Sequence, residues 1–113
     1  MKTVQTGDIV IVDFPGAQGI KRCPALVLST ALYHQYRPDV IIGVITSQVQ
    51  NATLPTDYIL KDWSAAGLHQ PSAFRAFLAT LPAATTTRIG HCSAEDWRGI
   101  VTCLQKALPL SES

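Results

Sequence analysis

The chain has 113 residues, 47% of them apolar and 15% charged, with a formal net charge of +1. This length suits one domain over residues 1–113 with a modest core, and such hydrophobicity excludes a disordered tail and points to a folded, self-associating protein. The charge gives no global argument for nucleic-acid binding, so any basic site has to be assembled locally from a few residues.

Taken in chain order, MKTVQTGDIVIVDF carries one lysine and then alternation, not the charged head and continuous apolar segment of a signal peptide, and no apolar run suffices to cross a bilayer. A cytoplasmic protein without membrane contact is expected. Asp8 to Phe14 reads as a strand ending at Pro15-Gly16, followed by a loop to about Arg22. ALVLS is a second short strand, and Asp39 to Ser47 a third, with Gly43 marking a bulge or a close backbone approach. Thr56 to Leu60 and Ser72 to Leu81 are further strands, separated by KDWSAAGL, read as a short helix with Gly67 just past its end. Thr85 to His91 adds a last strand. From Ser93 the period changes: Trp97, Ile100, Val101, Leu104 and Leu108 have helical spacing, Ser93 and Asp96 form a capping pair, and Pro109 limits the helix. The sum is a small antiparallel barrel or strongly curved sheet with a terminal helix packed on it.

The three cysteines, Cys23, Cys92 and Cys103, have neither CxxC pairing nor a histidine spacing suited to zinc. They read as free thiols in a reducing compartment, and neither metal nor cofactor is expected. His34, His69 and His91 lie in separate segments without a motif and are read as surface or boundary residues, His69 being the one to test because it precedes PSAFR.

The order GDIVIVDFP, a Gly-containing loop, a basic residue near PALVLS, and VITSQ resembles the MazF/PemK family of toxin endoribonucleases. DWSAAGLHQPSAFR with LATL, and RIGHCSAEDWRGI, resemble its PemK-like branch, so the similarity covers almost the whole chain. It implies a mainly β fold, an SH3-like barrel of the MazF/CcdB/PemK type with a C-terminal α-helix. It further implies a homodimer, a cognate antitoxin that occludes the RNA groove, and metal-independent cleavage of single-stranded RNA with the ribose 2′-hydroxyl as nucleophile. Such chemistry needs a proton acceptor, a cation for the phosphorane and a donor for the leaving oxygen, not a carboxylate cluster.

The family places an arginine immediately before the PALVLS strand, where its fork holds the scissile phosphate; Cys23 occupies that position here. Side chains alternate along a strand, so Arg22 would face away from the Cys23 side while Lys21 would share it. Three readings stand: a local bulge turns Arg22 into the site, Lys21 reaches in as a point charge, or phosphate activation has been lost; the first is preferred. The resemblance implies that Thr46 bonds a phosphate oxygen or the 2′-hydroxyl, its bland alternative being a hydroxyl that merely ties off the strand end. It also points to Arg75 as a second cation for the RNA groove, although Arg75 also suits a surface pair with Asp57 or Asp62, and Ser47, Gln48 and His69, the last for its place before PSAFR, are further candidate RNA contacts. Phe74 and Phe77 are read as core or dimer interface rather than as bases' stacking partners, and Cys23 as a packed or partly exposed residue. Two alternatives to an active endoribonuclease remain: an impaired relative that keeps the dimer and antitoxin binding, and a gyrase-binding toxin like CcdB.

Overall fold

Alternating β-branched residues build most of the protein. The structure, a computed structural model, describes residues 4–16 and 19–109. Strand β1 (Asp8–Gly16) pairs with β2 (Gly19–Val27) in continuous antiparallel register from Ile9↔Leu26 to Gly16↔Gly19. The expected loop from Pro15 to Arg22 is therefore strand, apart from residues 17 and 18, which lie outside the described residues. Proline is tolerated because β1's other neighbour, β6 (Thr87–His91), pairs with it only over Asp8–Ile11, leaving Pro15 on a free edge.

A short helix, α1 (Ala31–Tyr36), was not expected; the Thr30 hydroxyl caps it by accepting from the Tyr33 N–H at 3.3 Å. β3 (Asp39–Thr46) follows, then β4 (Tyr58–Ile59), shorter than the expected strand, and β5 (Ala73–Pro82). Among the described residues the strands form one antiparallel sheet in the order β4-β5-β3-β2-β1-β6. KDWSAAGL is not a helix. Its backbone closes turns through Ala66 N–H to Asp62 O and Gly67 N–H to Ser64 O, and Gly67 sits at φ 93, a left-handed conformation suited to glycine.

The two faces are buried differently. Ile9, Leu26, Ile45 and Phe74 lie under α2 (Ala94–Ala107), which contributes Ile100 and Leu104, with Trp63 and Trp97 packed at the margin. The alternate positions Val10, Val12, Ala25, Val27, Val40 and Ile42 are at most 1% exposed, yet neither α-helix contributes to their cluster. The sheet buries them by curling on itself into a half-barrel, as expected of this chain. Gly43 permits that curl: a Cβ there would strike the Phe74 ring. Beside it the register shifts, so that Arg75, Ala76 and Phe77 of β5 together face only Val44 of β3.

The open end of the sheet is pinned by Asp8, buried at the β1–β6 seam. Its carboxylate accepts from Gln5 N–H at 2.8 Å, His91 Nδ1 at 2.9 Å and Arg88 Nε at 3.1 Å. Burial alone would raise its pKa, but the bonds from His91, Gln5 and Arg88 outweigh it and hold the carboxyl below its ordinary 3.8. A folded pKa below the unfolded one means that this contribution to stability is complete above the ordinary value and is lost as pH falls through the folded one. Urea midpoints measured across the acid range are expected to show Asp8→Asn flattening that limb; an unchanged acid slope would remove Asp8 as its cause.

Candidate functional site

Register decides where the charges of GIKRCPALVLS go. Directly opposed residues share a face, and the pairs Val12↔Cys23, Asp13↔Arg22 and Phe14↔Lys21 follow one another without a bulge. The preferred bulge at Arg22 is thus absent. Arg22 lies on the face of Asp13 and pairs with it, Nη1 to Oδ1 at 3.3 Å, in an exposed ion pair. Lys21 lies on the face of Cys23 and Phe14 and forms no ion pair among the described residues.

Between this hairpin and the end of β3 opens a cleft of about 410 Å³. It is lined by Lys21, Arg22, Cys23 and Pro24 of the hairpin, by Val44 to Gln48 at the end of β3, and by Phe14 and Phe77. The Thr46 hydroxyl oxygen accepts from the Gln48 N–H at 3.1 Å, so the bland role is real, yet among the described residues the hydroxyl has no acceptor for its own proton. Gln48 in turn accepts from Asn51 Nδ2 at 3.0 Å through its side-chain oxygen. Cys23 is half-buried against the inner core. Burial raises its thiol pKa, Lys21 opposes that rise and Asp13 adds to it. The thiol therefore stays protonated at neutral pH and is a poor nucleophile.

The sequence matches the family of PemK-like, MazF-like toxins of type II toxin-antitoxin systems over residues 5–108. The chain belongs to that family. Comparison with curated proteins finds no match. Among solved structures, an endoribonuclease in complex with its cognate antitoxin from a mycobacterial species superposes with TM-score 0.81 at 20% identity, covering 97% of this chain and 99% of that one. The Mycobacterium tuberculosis toxin MazF-mt6 gives 0.74 at 22% identity, covering 93% and 99%. MazF from Deinococcus radiodurans gives 0.77 at 21% identity, covering 97% and 100%. At these identities the likeness establishes the fold: the PemK/MazF curled sheet with its terminal helix.

In this PemK/MazF-family toxin the cleft gathers Lys21, Arg22, Thr46, Ser47 and Gln48 but not the other two expected contacts. Arg75 Nε lies 3.5 Å from Asp57 Oδ1, and that carboxylate, 2% exposed, also accepts from the Leu54 N–H. The expected pairing of Arg75 with Asp57 is present, but with a buried carboxylate and not at the open surface. His69 is exposed in the turn before β5, outside the cleft. His34 and His91 are bonded to Ser29 and Asp8 respectively. Phe74 is core, whereas Phe77, read as core or dimer interface, is not core: in the single chain it is 59% exposed and lines the cleft. Strand alternation carries no signal for that outcome, because it depends on the three-against-one bulge opposite Val44.

Proposed function

We propose that this toxin is an endoribonuclease that cleaves single-stranded RNA without a metal, using the ribose 2′-hydroxyl as nucleophile. The observation that carries this reading is the convergence of an uncommitted Lys21 and the Thr46 hydroxyl in one cleft. The 2′-oxygen attacks the adjacent phosphorus and the bond to the 5′-oxygen breaks. One proton leaves the attacking hydroxyl and one is taken up by the departing oxygen, giving a 2′,3′-cyclic phosphate and a 5′-hydroxyl. In this scheme the Lys21 ammonium compensates the charge that grows on the phosphorane, and Thr46 donates to a non-bridging oxygen. Ser47 and Gln48 continue the polar wall along the RNA. Metal independence is supported by the donor set, since the described residues lining the cleft include no carboxylate or imidazole that a divalent cation would take.

The same reading makes the toxin a cytoplasmic homodimer neutralised by a cognate antitoxin. A solved neighbour is an endoribonuclease bound to its cognate antitoxin, and exposed Ile20, Leu32 and Tyr36 here supply apolar surface for partners. A second reading, an impaired toxin that retains dimer and antitoxin binding, is favoured by one observation: Cys23 stands where the family has arginine.

The deciding experiment is incubation of the purified protein with a long single-stranded RNA in excess EDTA, followed by mapping of fragment ends. Discrete cuts bearing a 2′,3′-cyclic phosphate and a 5′-hydroxyl are expected. Intact RNA from a folded, dimeric protein would displace this reading in favour of the impaired one.

A further inference from the structure

Phe77 is out of place for a core residue and for a random surface residue alike. It is 59% exposed, while Phe74, on the same strand, is fully buried. Its ring meets that of Phe14 edge-to-face, with centroids 5.3 Å apart and planes at 81°, a favourable aromatic geometry. The bulge that sets Arg75, Ala76 and Phe77 against Val44 fixes the backbone beneath it, and Phe14 is half-buried on the inner core. An exposed aromatic ring thereby lines the cleft, braced on one side by Phe14. Across the hairpin Lys21 is the direct partner of Phe14, so a cation that can hold a phosphate stands beside a surface that can hold a base.

Resting on the RNA-cleaving reading above, we infer that Phe77, braced by Phe14, is the platform on which this toxin stacks one unpaired nucleobase next to the phosphate held by Lys21. Unpaired bases are bound in this way by aromatic side chains because every base has a π-face, and a ring already fixed by a neighbour loses little freedom on binding. Charge favours a nucleic acid over a protein segment as occupant. Lys21, with no acidic partner among the described residues, supplies the cleft's uncompensated charge, Arg22 being paired with Asp13, and none of the described residues lining the cleft is acidic, which suits a polyanion that threads through rather than a mixed protein surface. The residue thus sets which position of the substrate must be unstacked, and so contributes to the choice of cleavage site.

The test uses the full-length toxin and a single-stranded 2′-deoxy oligonucleotide, which lacks the nucleophile, so that binding is read apart from cleavage; RNA cleavage is followed in parallel. Phe77→Leu, which keeps apolar bulk but loses the ring, is expected to weaken binding about tenfold, and Phe77→Trp to retain it with fluorescence quenched on binding. An abasic nucleotide at one position should cost the wild type about tenfold and Phe77→Leu almost nothing, because both changes remove the same stack. Equal binding by Phe77→Leu and wild type, with cleavage intact, would overturn the platform while leaving the endoribonuclease reading standing. So would a Phe77→Leu defect confined to dimerisation or to antitoxin affinity, since that would make Phe77 a protein-binding residue. A wild type that neither binds the oligonucleotide nor cuts RNA would instead bring down the endoribonuclease reading itself, and the platform with it.

Discussion

Lys21→Ala is expected to slow RNA cleavage by about a hundredfold to a thousandfold, the range found when one preorganised stabiliser of transition-state charge is removed. Arg22→Ala is expected to change it by only about threefold or less, since an exposed pair contributes little. The asymmetry follows from the β1–β2 register. Continuous pairing puts Lys21 opposite Phe14 and puts Arg22 opposite Asp13, whose carboxylate it meets at 3.3 Å. Arg22 lines the cleft as well, but its charge is already answered by a carboxylate, whereas that of Lys21 is answered by none among the described residues. Lysine is a point charge on a flexible stem and lacks the arginine fork, so Cys23→Arg, which restores a fork on the Lys21 face, is expected to raise the rate and to make Lys21 dispensable. Single-turnover cleavage of a defined RNA by Lys21→Ala, Arg22→Ala, Cys23→Arg and the Lys21→Ala/Cys23→Arg double variant reads all of this at once. Loss of activity in Arg22→Ala with retention in Lys21→Ala would transfer the role to Arg22. No gain in a folded Cys23→Arg dimer would show that a cation at that position is not what limits the rate.

The parts of the fold that were legible in the sequence are those with one buried face. β1 and β3 alternate β-branched residues between two cores, and α2 repeats its apolar positions at helical spacing, so each betrays its period. β2 escaped at its start because Gly19 to Arg22 are exposed, with no inward face to create a pattern. α1 escaped because none of its residues is buried. The site divides in the same way. Thr46, Ser47 and Gln48 were singled out through the family resemblance of VITSQ, since a hydroxyl at a strand end carries no functional signal by itself. Whether a bulge turns Arg22 onto the face of Cys23 was not readable, since a shift of one residue exchanges the faces and only the pairing itself shows that none does. Phe77 depended on a bulge created jointly by β3 and β5, and Arg75 on a carboxylate whose burial is a property of the folded chain.

Asp96→Ala should cause the largest loss of stability, about 4 kcal/mol. The Ser93–Asp96 capping pair expected from the sequence is present only in its first half: the Ser93 hydroxyl accepts from the Asp96 N–H at 3.1 Å. The Asp96 carboxylate does not return to the helix start. Fully buried, it accepts from Tyr58 Oη at 2.8 Å, Lys61 N–H at 3.0 Å and Asp62 N–H at 2.9 Å. One side chain thereby fastens α2 to the segment leaving β4 and satisfies two backbone donors that the turn itself cannot. Truncation leaves three part-buried donors unpaired together, each costing up to about 1–3 kcal/mol, with some relief from water entering. Burial, together with the bond to Asp96, holds the Tyr58 hydroxyl proton well above its ordinary pKa, so the bond persists throughout the neutral range. Tyr58→Phe, which removes one donor together with its need for a partner, should cost only about 1 kcal/mol, and its effect should shrink in the Asp96→Ala background. The neighbouring Lys61–Glu95 pair, at 2.8 Å but well exposed, supplies the contrast: Glu95→Ala should cost less than about 1 kcal/mol. Urea unfolding of the single variants and the Tyr58–Asp96 double variant measures these values. A loss below about 1 kcal/mol for Asp96→Ala would mean that water or a rearranged turn satisfies the two N–H groups as well as the carboxylate does, and that apolar packing alone holds α2 on the sheet.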